Sequence, residues 1–342
     1  MSFLGLAGLA ALVVALVLLA LALFTQWQTR RIERRHPPIG RLVETEGGVI
    51  HVVEKPAEGG ERGCVLLLHG ASGNQADMML ALQAPLAALG FRVLAVDRPG
   101  HGWSSRILGR SAAAPARQAR LAFAALAQLG VTRSIVVGHS FAGTVALALA
   151  LEAPEFTRAL VLLAPVSHPW PGGVDWRYRL SATRGVGWAF RQFIVMPFGL
   201  LLLPSGLRSV FEPNETPADY QRLTGLDLML RPRQYRANAE DVVDLKPYVI
   251  EQARRYGEIK APTEIVTGDK DGVVYTHIHS VGCARDIGEA NLTTLAGVGH
   301  APHHSATDAV IAAILSAERR ALERERAGAG TARDAEAALS AN

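Results

Sequence analysis

Three short stretches of the chain carry side chains that can make and break covalent bonds. Gly138-His139-Ser140-Phe141-Ala142 sets a serine at the end of an apolar run. Gly268-Asp269-Lys270-Asp271 offers two carboxylates, and Gly299-His300-Ala301-Pro302 offers an imidazole. A serine hydroxyl is a weak nucleophile until a neighbouring imidazole takes its proton, and a carboxylate must orient that imidazole and stabilise its protonated form. Serine, acid and histidine follow one another along the chain in one of the orders known for hydrolytic sets. The turn pattern for an exposed nucleophile is Gly-x-Ser-x-Gly, and Ala142 stands where the last glycine is expected. Taken alone, Ser140 also reads as a helix N-cap. Either Asp269 or Asp271 can be the acid, the other fixing the turn.

These residues need a frame that brings them together. Continuous apolar runs at 64–69, 91–97, 134–139 and 159–165 alternate with helical stretches near 75–89 and 112–129 and a helix from Phe141. Strands buried on both faces read this way, so the class is α/β with a doubly wound, mostly parallel sheet. The pattern 41–46 and 49–54 around Gly47-Gly48 predicts a hairpin at the start of the sheet. Alternation stops at about 166–247 and resumes with a strand at 263–268, a helix near 276–285, a strand at 292–297 and a helix near 308–320. A helical insertion therefore divides one sheet. In such sheets ligands bind at the carboxyl ends of the strands, and all three reactive stretches stand at strand ends.

With these motifs in register, the chain from about Arg41 to Arg320 resembles the α/β-hydrolase fold superfamily. The resemblance rests on His69-Gly70-Ala71, on the turn from Gly138 to Gly143, on Gly268-Asp269-Lys270-Asp271 and on Gly299-His300-Ala301-Pro302. It implies an eight-stranded type of sheet, a cap formed by the insertion, and no cofactor. It implies Ser140 as nucleophile, Asp271 as acid, His300 as base, and the backbone N–H groups of Ala71 and Phe141 as oxyanion hole. Ser140 at the elbow argues against the dehalogenase and epoxide hydrolase branches, which carry Asp there.

Other residues read as structural. His303 and His304 lie beyond Pro302 and are expected at the surface, while His101 and His139 are expected to pack or hydrogen-bond locally. His277 and His279 lack a third ligand at zinc spacing, so no metal is expected. Two cysteines, Cys64 and Cys283, are too few for a disulfide framework. The net charge is +4, and Arg30, Arg31, Arg34 and Arg35 against Glu33 account for three of it, so no nucleic-acid surface is expected.

The uncharged run 3–24 is long enough, at about 1.5 Å per residue, to cross a hydrocarbon core of about 30 Å. It has no basic leader and exceeds the apolar stretch of a signal peptide, which favours an uncleaved anchor. Arginines follow the span, placing the catalytic bulk on the cytoplasmic side, as in a single-pass protein of a bacterial inner membrane. The expected organisation is an anchor at 1–24, a basic juxtamembrane stalk at 25–40, core at 41–165, cap at 166–247, core again at 248–320 and a disordered tail at 321–342. Within the cap, 186–204 is strongly apolar but interrupted by Arg191, Gln192 and Pro197, which argues against a second span. It reads first as an inner face lining an acyl or aromatic pocket and second as a surface dipping into the bilayer.

The expected function is a membrane-anchored serine hydrolase cleaving a carboxylic ester of a hydrophobic small-molecule or lipid-like substrate. A C–C bond hydrolase or a cofactor-free perhydrolase uses the same residues, and a non-catalytic binding or signalling module on this scaffold is the reading from another class. Oligomeric state is not legible in the sequence.

Overall fold

The computed structural model describes residues 3–340, with side chains described as far as residue 328. Its sheet has eight strands in the order β1-β2-β4-β3-β5-β6-β7-β8. They are β1 (Arg41–Thr45), β2 (Gly48–Lys55), β3 (Gly63–Leu68), β4 (Phe91–Val96), β5 (Ser134–His139), β6 (Thr157–Leu163), β7 (Thr263–Gly268) and β8 (Ala290–Leu295). The hairpin β1–β2 and the β2–β4 pair are antiparallel, and every later pair is parallel.

Because side chains alternate along a strand, the two faces bury separate sets. Leu66, Leu94 and Val136 pack with Ala146 and Leu149 beneath α3 (Pro115–Gln128) and α4 (Ala142–Glu152). Val65, Leu67, Val93 and Val137 pack with Leu82, Leu86, Ile314 and Ala317 beneath α2 (Gln75–Ala88) and a long C-terminal helix. Cover on both faces explains the continuous apolar runs.

The N-terminal helix α1 (Phe3–Arg35) does not stop where the apolar run ends. The segment expected as a stalk is helical to Arg35, and Thr25 and Ile32 are buried against the insertion. Pro37 and Pro38 then prevent continuation of the helix.

No strand interrupts residues 164–262. The insertion contains α5 (Trp176–Ser181), then α6 (Gly185–Phe190), a π-helical turn (Arg191–Val195) and α7 (Met196–Phe211) running on from one another, α8 (Tyr220–Thr224) and α9 (Pro232–Ala253). The expected cap boundary at 247 falls inside α9, which accommodates Pro247. The preferred reading of 186–204 as an inner lining needs correction: Val195, Met196 and Leu203 are buried, but Val186, Trp188, Phe198, Leu201 and Leu202 are exposed. An apolar helix shows which side is covered only when its neighbours are in place.

After β7 comes α10 (Ser280–Asp286), shorter than the helix expected from residue 276, and after β8 come α11 (Pro302–Ser305) and α12 (Thr307–Ser340). The tail expected to be disordered is helical through Ser340, and residues 341–342 lie outside the described residues. Tertiary partners account for the tail's first turns: Ala321 is buried, and Glu325 accepts from Arg158 and pairs with Arg133.

Candidate active site

Ser140 sits between β5 and α4 with φ at +54°, a left-handed backbone that a serine adopts only when its surroundings impose it. The turn is fastened from both sides. Its N–H donates to the Leu163 carbonyl at 2.9 Å, and its carbonyl accepts from Gly143 and Val166, each at 2.9 Å. A Cβ on Gly138 would lie 2.6 Å from the Ala142 carbonyl oxygen, and one on Gly143 would lie 2.5 Å from Pro165. The close approaches thus need glycine at 138 and 143, while the methyl group of Ala142 is accommodated in a fully buried position. Ala142→Gly is expected to keep the fold and turnover. Ala142→Val overfills the turn and should lower stability by about 1–3 kcal/mol, read from the unfolding midpoint.

The loop after β8 brings His300 to the elbow. Its Nε2 lies 2.9 Å from Ser140 Oγ and its Nδ1 lies 2.8 Å from Asp271 Oδ2. An ionised carboxylate only accepts, so Nδ1 carries the hydrogen and Nε2 presents a lone pair to the hydroxyl. The other Asp271 oxygen accepts from the N–H groups of Val273 and Val274 at 2.8 and 2.9 Å. Asp269 instead accepts from Gly297 N–H at 2.7 Å, holding the neighbouring turn. The two carboxylates that sequence left as alternatives are therefore separated in space. This arrangement can activate a hydroxyl, return its proton to a leaving group and then activate water.

Gly70 brings the loop after β3 against the elbow: a Cβ there would stand 3.1 Å from the Cβ of Ser140. This places Ala71 beside Phe141, and among the described residues neither N–H is taken up by a carbonyl or side chain. His69, behind the loop, donates from Nδ1 to the Gly70 carbonyl at 2.8 Å and accepts from Arg98 N–H at Nε2 at 3.0 Å. Burial, then the Arg98 charge, lowers its pKa to about 4. It is a neutral strut.

Arg98, in the Asp97-Arg98-Pro99-Gly100 turn after β4, is the main structural residue near the site that sequence reasoning passed over. Its guanidinium is buried and donates to the carbonyls of His69 and Gly70, each at 3.1 Å, and to Asp241 of α9 at 2.7 Å. It also lies 4.2 Å from the centroid of the Phe141 ring. One side chain thus joins the loop carrying Ala71, the ring of Phe141 and the cap. The signal was an arginine placed directly after a buried strand. Arg98→Ala, which leaves buried acceptors unpaired, is expected to cost about 3–5 kcal/mol in denaturant unfolding.

His303 and His304 require a correction, because both turn inward rather than toward solvent. Pro302 starts α11 and directs their rings to Asp77 on α2, whose Oδ1 accepts from His303 Nε2 at 3.3 Å, His304 Nε2 at 3.0 Å and Tyr220 OH at 2.7 Å. Burial pushes the Asp77 carboxyl up, and the two imidazoles more than reverse this, holding it well below the usual range. His139 lies beside them, its Nε2 donating to the His300 carbonyl at 3.0 Å. Burial, reinforced by His303 and His300, holds its pKa well below the ordinary value, as expected for a neutral local support. Asp77, His139 and His303 bring ligand-type atoms within 4.8 Å of one another, but Asp77 is already shared by three donors. Asn74 caps α2 through Ala76 N–H and reaches the Thr224 carbonyl in the insertion.

Residues 63–307 match the family model for the alpha/beta hydrolase fold. Over 233 residues the chain is 28% identical to a 2-hydroxy-6-oxononadienedioate/2-hydroxy-6-oxononatrienedioate hydrolase of Paraburkholderia phymatum, covering 67% of this chain and 78% of that protein. It is 36% identical over 110 residues to a dihydrolipoyllysine-residue acetyltransferase component of an acetoin cleaving system from Cupriavidus necator, a match covering 32% of this chain and only 28% of that relative's length. Among solved structures, a membrane phospholipase A described as a bacterial virulence factor superposes with a TM-score of 0.63 at 22% identity, over 92% of this chain and 98% of that one. That likeness concerns the fold. With its sheet order, its strand-end residues and a family match over more than half its length, the chain belongs to the α/β-hydrolase fold family and is a hydrolase.

Proposed function

We propose that the protein is a membrane-anchored serine hydrolase acting on a hydrophobic carboxylic ester through an acyl-enzyme intermediate. The observation that carries this reading is the hydrogen-bonded chain from Asp271 through His300 to Ser140, with Ser140 held at positive φ. Ser140 attacks the ester carbonyl while His300 takes its proton and passes it to the leaving alcohol. His300 then activates water to release the acid. The N–H groups of Ala71 and Phe141 receive the negative charge that develops on the carbonyl oxygen. Asp271 keeps the imidazole in the productive tautomer.

The anchor reading draws on α1, whose residues 3–20 are exposed and apolar and whose following turns carry Arg30, Arg31, Arg34 and Arg35. Its last turns also belong to the folded domain: Ile32 is buried among Val195, Met196 and Leu230, and Glu33 pairs with Arg231. The arginines on this flank favour a cytoplasmic catalytic domain.

A fluorophosphonate probe should label Ser140 in the detergent-solubilised protein, with labelling lost in Ser140→Ala and strongly slowed in His300→Ala. Folded protein that stays unlabelled, or that labels equally without His300, contradicts the assignment. A p-nitrophenyl ester series should favour acyl chains longer than acetyl. C–C bond hydrolysis is the second reading, favoured by the dioate hydrolase relative. Turnover of a 2-hydroxy-6-oxo dienoate exceeding that of every ester would select it.

A further inference from the structure

The cap carries an apolar surface for which the fold supplies no cover. Along the helical run from Gly185 to Phe211, Ile194, Phe198, Leu201 and Leu202 recur at the spacing of one helix face, and all four are exposed. Leu201 is 76% exposed and Phe198 51%. The opposite face, with Val195, Met196 and Leu203, is buried among Ile32, Leu228 and Leu230. Val186 and Trp188, a turn or two earlier, are exposed as well, as is Trp176 on α5. A folded domain rarely leaves so many large apolar side chains together in water.

The position of this face relative to α1 identifies what covers it. The apolar run of α1 ends at Phe24, and the next side chain, Thr25, donates to the Gln192 carbonyl at 2.7 Å. Gln192 lies between Trp188 and Ile194, so the apolar cap face stands beside the level at which the apolar run of α1 ends. Phe24 packs on the same cluster as Met196 and Leu203. Trp27 is exposed one turn further on with the Arg31 guanidinium 5.3 Å from its ring, a pairing suited to the headgroup layer. Exposed Arg184 and Arg208 bracket the cap face and add positive charge for anionic headgroups.

We propose that Val186, Trp188, Ile194, Phe198, Leu201 and Leu202 insert into the lipid surface beside the anchor, making the cap a second, interfacial membrane contact. The inference rests on the anchor reading above and extends it. A helix lying in the interface with one apolar face buried needs no span of its own, which accommodates the polar interruptions at Arg191 and Gln192. The cap, whose Asn238 and Asn214 accept from Ser72 and Gly299 on the loops that carry Ala71 and His300, then meets substrate that partitions into lipid.

The test uses full-length protein in nanodiscs of mixed zwitterionic and anionic lipid, with Cys64 and Cys283 replaced by Ala. A fluorescent label is attached at Leu201→Cys, at Leu12→Cys within the span, and at exposed Glu61→Cys on the core. Lipid-borne nitroxide should quench the label at 201 several-fold more than that at 61, and aqueous iodide should quench it several-fold less. If the label at 12 is in lipid but the one at 201 behaves like that at 61, the anchor stands and the cap proposal falls. If neither 12 nor 201 is quenched from lipid, the anchor reading fails and the proposal fails with it. A label at 201 shielded from iodide yet unquenched from lipid means that protein, such as a second copy of this chain, covers the face, and this too overturns the proposal.

Discussion

Ser140→Ala is expected to lower kcat on a hydrophobic ester by about a million-fold, leaving the residual rate that binding and oxyanion contacts alone supply. The size follows from how the three residues depend on one another. Among the described residues the hydroxyl is the only nucleophile within hydrogen-bond reach of His300 Nε2, at 2.9 Å, and without it neither the imidazole nor Asp271 has a proton transfer to assist. His300→Ala should cost about as much, and the double variant little more than either single one. Asp271→Asn should cost less, about ten-thousand-fold, because the imidazole survives but its tautomer is no longer enforced. Additive losses would mean that the three do not act as a unit. Thermal unfolding of Ser140→Ala should stay close to that of the wild type, since alanine keeps the Cβ and hence the positive-φ strain of the turn, and the change removes only one buried hydroxyl.

Mild acid should destabilise the protein well before its carboxylates titrate. His69 and His279 both have pKa values lowered to about 4, chiefly by burial, against 6.5 in an open chain. The geometry supports the direction: His69 accepts from Arg98 N–H, and His279 Nδ1 accepts from the N–H groups of Ser167 and His168 at 3.2 and 3.1 Å. A proton on either accepting nitrogen would face a donor. Below pH 6.5 the unfolded chain therefore binds protons that the folded one refuses, so stability is complete above 6.5 and falls as pH drops toward 4. Each of these two histidines accounts for about 3 kcal/mol over that window. His101, His139 and His303, also held low by burial, add in the same direction. The loss from His69 and His279 together, about 6 kcal/mol, already reaches the lower end of the whole stability of a typical domain, about 5–15 kcal/mol. Urea midpoints followed by tryptophan fluorescence in detergent should fall steeply between pH 7 and pH 5, and a flat profile would contradict the account. Asp77 and Asp97, whose carboxyls are held low, become a further source of loss only as pH falls below about 4.

Much of this molecule is legible locally. Continuous apolar strands mark a sheet covered on both faces, and their ends mark the edge where reactive residues gather. The hairpin, the strand succession and the helical insertion all depend on nearby residues, and each is found close to its expected place. Ser140, His300 and the pair Asp269–Asp271 were legible because turn chemistry confines them to a few residues after a strand. The choice between the two carboxylates is different in kind. They are two positions apart and chemically identical, and only the closure of the β7 and β8 loops sets Asp271 against His300 and Asp269 against Gly297.

The misread residues share a cause. His303 and His304 looked superficial because their partner, Asp77, is on α2, more than two hundred positions away. Arg98 drew no reading at all, because its ion partner, Asp241, belongs to the cap and lies 143 positions away. The start of the tail, at 321–325, looked free because Arg158, which holds Glu325, is 167 positions away. The apolar stretch at 186–204 looked like the lining of a pocket because composition records that a helix is apolar without recording which side its neighbours cover. By itself the sequence determined the α/β class, the strand-end placement of serine, acid and histidine, and an N-terminal helix apolar enough to span a bilayer, because periodicity and turn chemistry act over a few residues. Only the tertiary structure decided which acid meets His300, which polar groups are buried in pairs, and which apolar face of the cap is left exposed, because burial and pairing are properties of surfaces that meet only after the chain has folded.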